Sequence, residues 1–208
     1  MKFVFLFIFI FLYIHVYLHF KINPINELNT IQDICKLEVS NTCYYKLPFI
    51  FDGSTIIKDV QLNNCTKQEN KYIKAYESLP LIEPYVKFFT KNEIYKLKKD
   101  KTVPLHYNLD CRNFYISHSG KLHITCIHPK YKEHFTNMDT VTNEFIENHK
   151  NMIHLELDKN QILFVPNYWF VYIKGIDKSS IIEKIHYSTI LNQLNFVWNK
   201  NITKYYGI

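Results

Sequence analysis

Eighteen consecutive residues, from Phe3 to Phe20, carry no formal charge and are bracketed by Lys2 and Lys21. As a helix rising 1.5 Å per residue, such a run is about 27 Å long, close to the roughly 30 Å hydrocarbon core of a bilayer. It is apolar on every side, whereas a helix resting on a globular core shows a one-sided stripe. A cleaved secretory leader would need a small-residue cleavage site, and His19-Phe20-Lys21-Ile22-Asn23-Pro24 offers none. Residues 1–22 therefore read as an uncleaved transmembrane signal-anchor. Tyr13, Tyr17, His15 and His19 fall in its second half, where interface-seeking side chains belong. Lys2 and the α-amino group precede the run, while Lys21 is followed by Glu27 and Asp33. That asymmetry favours a single-pass membrane protein whose globular part is lumenal or extracytoplasmic.

The remainder is long enough for one domain with a proper core. Hydrophobic residues make up 47% of the chain and charged residues 21%, which excludes a disordered tail. The 25 Lys and Arg against 19 Asp and Glu leave a net charge of +6 with no long basic run, so no nucleic acid partner is expected. The five cysteines have neither CxxC nor zinc-like spacing. The sequons at Asn64 and Asn201 permit glycosylation without requiring it. Neither a G-x-S-x-G elbow nor a G-x-x-x-x-G-K loop occurs, which removes two common classes of nucleophilic and phosphate chemistry.

Residues 23–43 read as a juxtamembrane linker and a short helix, with Thr30 and Asp33 as a capping box. A domain over 44–208 follows. Strand-like patterning covers 44–51 and resumes at 55–62 after the Asp52-Gly53 turn; 67–77 and 85–99 have spacing nearer to helical. Beyond 104 the pattern turns to strands over 113–117, 121–128, 152–157, 161–165, 168–173 and 180–189, with a helical excursion across 130–152. Short strands at this spacing suggest a sandwich or barrel.

Two stretches carry a more specific signal. The first is Pro104-Leu105-His106-Tyr107-Asn108-Leu109-Asp110-Cys111-Arg112-Asn113-Phe114-Tyr115, followed by Gly120-Lys121 and Ile127-His128-Pro129. The second is Gln161-Ile162-Leu163-Phe164-Val165-Pro166-Asn167-Tyr168-Trp169-Phe170-Val171-Tyr172-Ile173. With the tail from Ile185-His186-Tyr187 to Asn192, they resemble the cupin-like, JmjC-related family, of the type found in large DNA viruses. The chain's AT-rich residue usage fits such a genome.

The resemblance implies a mainly β fold with added helices: a double-stranded β-helix (jelly-roll) domain behind the N-terminal transmembrane helix. Active members of the family are Fe(II)/2-oxoglutarate oxygenases that hold iron with two His and one carboxylate, leaving positions open for cosubstrate and O₂. Carried onto this sequence, the first His is His106, the carboxylate position is Asn108 and the distal His position is Val171. The cosubstrate lysine falls on Leu122, with Lys121 one residue away and so on the opposite face of a strand. These are relic metal-site positions. They predict no metal, no cofactor and no metal-dependent catalysis, but a binding or structural role at a membrane, with a possible protein partner. Arg112, Asn113, Lys121 and His186 are the candidate ligand-binding residues, with an internal ion pair to Asp110 or Glu156 as the competing role for Arg112. The alternative is an oxygenase using Fe(II) and 2-oxoglutarate at a rearranged site built from His106, His154 and Glu156.

Overall fold

The computed structural model describes residues 2–32, 34–54, 57, 82–84, 87–135, 145–146, 150–190 and 192. Helix α1 (Lys2–Phe20) is 19 residues long, and every side chain over 4–14 is exposed, Phe9 by 69% and Tyr13 by 73%. Among the described residues no helix is long and apolar enough to cross a membrane.

After α1 come β1 (Asn29–Thr30), α2 (Lys36–Tyr45) and β2 (Phe49–Asp52). The capping box expected at Thr30 and Asp33 does not start a helix. Thr30 pairs in a ladder with Ile50, and α2 begins at Lys36, where Sγ of Cys35 accepts from the Glu38 N–H at 3.4 Å. The helix ends where Lys46 turns left-handed at φ 55, which delays the strand expected from residue 44 until Phe49.

Eight strands then form the barrel: β3 (Phe89–Leu97), β4 (Thr102–Tyr107), β5 (Arg112–Ser119), β6 (Leu122–Ile127), β7 (Ile153–Leu157), β8 (Gln161–Pro166), β9 (Phe170–Gly175) and β10 (Ser180–Ser188). A 3-10 helix, Pro129–Phe135, follows β6. From residue 89 on, the helix expected over 85–99 is replaced by β3, an edge strand bonded only to β10, with Ile94 and Lys96 exposed on its outward face. A strand with one neighbour and a charged exposed face lacks clean alternation, and its spacing passes for helical. The strand expected at 55–62, apart from Ile57, and the helix expected at 67–77 lie outside the described residues, as do 136–144 and 147–149 of the helical excursion.

The pairing defines the architecture. β3 runs antiparallel to β10, β4 to β9, β5 to β8 and β6 to β7. One long antiparallel ribbon, β3 to β6 returning as β7 to β10, is thus wound into two sheets with orders β8-β5-β10-β3 and β4-β9-β6-β7. This is a jelly roll, the double-stranded β-helix that cupins share; β2 and β1 extend its first sheet beyond β8.

Alternation along each strand sorts side chains into three layers. Between the sheets lie Tyr115, Leu122, Ile124, Val165, Trp169, Val171 and Ile182, all essentially buried. Outside the first sheet, Phe49, Phe51, Phe114 and Phe164 pack under Val39 of α2, with the Phe49 and Phe164 rings 4.9 Å apart. Outside the second sheet, Leu105, Tyr107, Phe170 and Tyr172 form a further cluster. Each such aromatic contributes about 2–3 kcal/mol by leaving water.

Candidate functional site

A β-bulge decides where His106 points. Thr102 pairs with Lys174 and Val103 with Ile173, but the register shifts before His106 pairs with Val171 and Tyr107 with Phe170. Unbroken alternation would put Val103, Leu105 and Tyr107 on one face. Instead Val103 stays in the barrel core, Leu105 and Tyr107 join the outer layer, and His106 turns inward.

Inside, Nε2 of His106 lies 2.9 Å from the Tyr115 hydroxyl, while Nδ1 lies 3.1 Å from the Pro104 carbonyl oxygen. The carbonyl holds the ring proton on Nδ1, leaving Nε2 an acceptor. Burial, and then the charge of Lys184, pull this imidazole down to about 3, so it is neutral at pH 7. The same Tyr115 oxygen lies 3.0 Å from Oδ1 of Asn108, so its single proton faces two acceptors. Asn108 is held by its backbone as well, its N–H donating to the Trp169 carbonyl at 2.9 Å and its own carbonyl accepting from Tyr168 at 2.6 Å. Val171 faces His106 across the ladder and is fully buried.

These residues do not fit a 2-His-1-carboxylate face. The one imidazole has its lone pair turned to a hydroxyl, the second position holds a neutral amide, and the third holds an alkyl group. Among the described residues, no three or more His, Cys, Asp or Glu side chains are gathered where they could hold a metal ion. His154 and Glu156 sit on the outer face of β7. There His154 lies 3.1 Å from the Thr125 hydroxyl, and Glu156 pairs with Lys121 at 2.9 Å. The alternative trio is therefore split by the sheet, with His106 inside and its two companions outside.

The other sequence candidates scatter too. Lys121 is on the surface, while Leu122, where the resemblance would put a lysine, is buried in the core. Arg112 turns to the outer layer and donates to the Ile82 carbonyl at 3.2 Å and the Ser40 hydroxyl at 3.3 Å, in place of an ion pair with Asp110 or Glu156. Asn113 is buried and donates to the carbonyls of Asp110 (3.1 Å) and Val165 (3.4 Å). Cys35, Cys43, Cys111 and Cys126 are all free thiols, and burial pushes the last three up to about 12, too high for a thiolate nucleophile.

His186 alone among them joins a charged interior cluster. On β10, Lys184, His186 and Ser188 share the inward face with Ile182. Nδ1 of His186 bonds Asp110 at 2.5 Å, and the Ser188 hydroxyl donates to the other Asp110 oxygen. Nε2 of His186 points toward Glu93 at 3.6 Å. Glu93, on β3, accepts from Lys91 at 2.7 Å and from the Tyr95 hydroxyl at 2.5 Å. Burial opposes charge on His186, but its contacts with Asp110 and Glu93 outweigh that and raise its pKa. The His186 contact in turn holds the Glu93 carboxyl far below the usual range. Lys184 lies beside Tyr115, its ammonium 5.6 Å from the ring centre. Sequence reading missed Lys184, Tyr115 and Glu93. The signal for Lys184 was there: polar residues at 184, 186 and 188, alternating with Ile185 and Tyr187.

No family model and no curated protein matches the sequence. Among solved structures, the chain is similar to oxalate decarboxylase from Bacillus subtilis, with a TM-score of 0.35 and 12% identity over 48% of this chain and 22% of that one. It is also similar to BH2720 from Bacillus halodurans (TM-score 0.35, 7% identity, 48% of this chain and 63% of that one). Procruciferin, an 11S globulin from Brassica napus, gives 0.34 and 8% identity over 46% and 20% of the two chains. The chain thus spans between a fifth and under two thirds of each. Likenesses of this size add nothing to the strand order, which by itself defines the jelly roll.

Proposed function

We propose that this chain is a membrane-tethered jelly-roll protein, of the cupin-like, JmjC-related kind found in large DNA viruses, whose barrel serves binding or scaffolding without metal-dependent catalysis. The observation that carries it is the Tyr115 hydroxyl between His106 Nε2 and Asn108 Oδ1, with Val171 opposite. A side-chain hydrogen bond stands where an iron ligand would need an open lone pair. The tether is α1, whose apolar side chains are exposed on all sides over 4–14. In water that surface is unfavourable by about 25 cal/mol per Å², and a bilayer removes the cost. We place the barrel on the lumenal or extracytoplasmic side, from the Lys2 and Lys21 flanks.

The test uses the full chain purified from membranes in detergent. The wild type is expected to hold only substoichiometric iron after Fe(II) loading, to consume no 2-oxoglutarate, and to resist carbonate extraction. The variant combining Tyr115→Phe, Asn108→Asp and Val171→His frees the imidazole and restores both missing ligands, and it is expected to take up Fe(II) or Zn(II). Stoichiometric iron with 2-oxoglutarate turnover by the wild type would overturn the metal-free reading; release by carbonate would overturn the tether.

A further inference from the structure

Exposed apolar side chains are concentrated at the end of the barrel where α1 enters. The His19 carbonyl accepts from Lys46 and Asn167, and Phe20 stacks on Tyr168, just ahead of β9. Asn23 then donates to the Tyr45 carbonyl at 2.8 Å, which sets Ile22 and Ile25 beside the C-terminal end of α2. That helix buries Val39 and Cys43 against the first sheet and presents Leu37, Tyr44 and Tyr45 on its opposite side. Positions 37, 44 and 45 lie within about 100° of one another around a helix, so they form one stripe. Phe20, Ile22, Ile25, Tyr44 and Tyr45 are each 45 to 61% exposed. The first residue of β3, Phe89, is exposed at the same end, since the ladders run level from it through Ser188 and Arg112 to Pro166. The other end differs. There the Asp100 N–H donates to the Gly175 carbonyl, and among the described residues the turns at 98–101 and 176–179 expose no large apolar side chain.

We propose that the α1 end of the barrel lies against the headgroup layer of a phospholipid bilayer, with Ile22, Ile25, Tyr44 and Tyr45 seated in it around the root of α1. The patch is continuous with the exposed apolar surface of α1, one helical turn away, so lipid that receives the helix meets these residues next. Tyrosine suits that depth, because its ring is apolar and its hydroxyl reaches water. The rim carries both signs of charge, Lys21, Lys130 and Lys132 with Glu27 and Glu133, which matches zwitterionic headgroups. Lys130 and Lys132 belong to this end: His128 bonds the Asn23 carbonyl, and the Lys132 ammonium lies 5.7 Å from the centre of the Tyr107 ring, itself beside Tyr168. An apolar patch of this kind within a charged rim marks an interaction surface.

The proposal rests on the tether reading above and adds a contact made by the barrel itself. Full-length protein is reconstituted into phosphatidylcholine vesicles with and without a nitroxide on the lipid headgroup. Tyr45→Trp and Ile25→Trp replace exposed side chains, and their added emission is read after subtraction of the wild type. Each is expected to lose about half of that emission to the labelled lipid, as an indole at headgroup level should. Lys178→Trp sits past the far end of β9, about 20 Å away along the strand, and is expected to lose none. Unquenched emission at both 25 and 45, or equal quenching at 178, overturns the docking surface; the first result would leave the patch to a protein partner. Carbonate extraction of the same vesicles separates the two readings. Retention without quenching defeats the docking surface alone, and release with quenching kept defeats the tether alone.

Discussion

His186 and Asp110 show how two buried groups trade proton affinity. Burial raises the Asp110 carboxyl, but the bonds from His186 and Ser188 outweigh it and its pKa ends lowered; for His186 the net result is a rise. A group with raised pKa stabilises fully below its unfolded value, near 6.5 for His, and loses that stability as pH climbs through the folded value. A lowered carboxyl stabilises above its unfolded value, near 3.9, and loses that as pH falls through the folded one. The pair is therefore strongest between about pH 4 and 6.5. His186→Asn is expected to cost about 3 kcal/mol in that window, because it strands a buried carboxylate, and the gap to wild type should shrink as pH rises above 7. Urea unfolding of both proteins from pH 5 to 9 measures it, and a gap independent of pH would contradict the pairing. Neither partner announces the other in the sequence. Asp110 and His186 are 76 positions apart, and only the β5–β10 ladder brings them together.

Among the elements, the hairpins were readable and the bulge was not. Gly120 marks the β5–β6 turn by chemistry alone: its φ of +70 suits glycine, and a Cβ would come within 2.6 Å of the Ser179 carbonyl and the Ser180 hydroxyl. Gly120→Ala is expected to cost about 2 kcal/mol or more, from left-handed strain plus the clash with backbone. A urea midpoint indistinguishable from wild type would show that the turn relaxes. The strands over 113–117, 121–128, 161–165 and 180–189 likewise followed from apolar and β-branched runs between turn residues, because burial on both faces leaves a continuous signal. β3 failed that reading for the opposite reason, its face being charged and open. The bulge before His106 has no composition to mark it, since a register slip is settled by how β4 lies on β9.

For the whole molecule, the connection between α1 and the barrel is stiffer than a linker. The His19 carbonyl accepts from Lys46 Nζ at 2.6 Å and from Asn167 Nδ2 at 3.1 Å, and Phe20 stacks on Tyr168 with 6.2 Å between ring centres. Asn23 continues the seam, donating to the Tyr45 carbonyl and accepting from His128. Burial pulls the Lys46 ammonium down to about 8, and neighbouring Lys21 adds to the effect. In vesicles, the pair Lys46→Ala and Asn167→Ala is expected to leave carbonate resistance unchanged. Tryptophan anisotropy should gain a faster decay, with about 1–2 kcal/mol lost for the two bonds. An unaltered decay would mean that these contacts do not hold the barrel. The sequence by itself determined the charge-free N-terminal run, the β character of the second half and the amide and alkyl side chains at Asn108 and Val171, because each is a property of residue type or local period. Tertiary structure alone decided which polar side chains meet inside the barrel. Contacts such as His106 with Tyr115, Lys184 with Tyr115 and His186 with Asp110 depend on ladder register and on one bulge, and sequence separation carries no record of either.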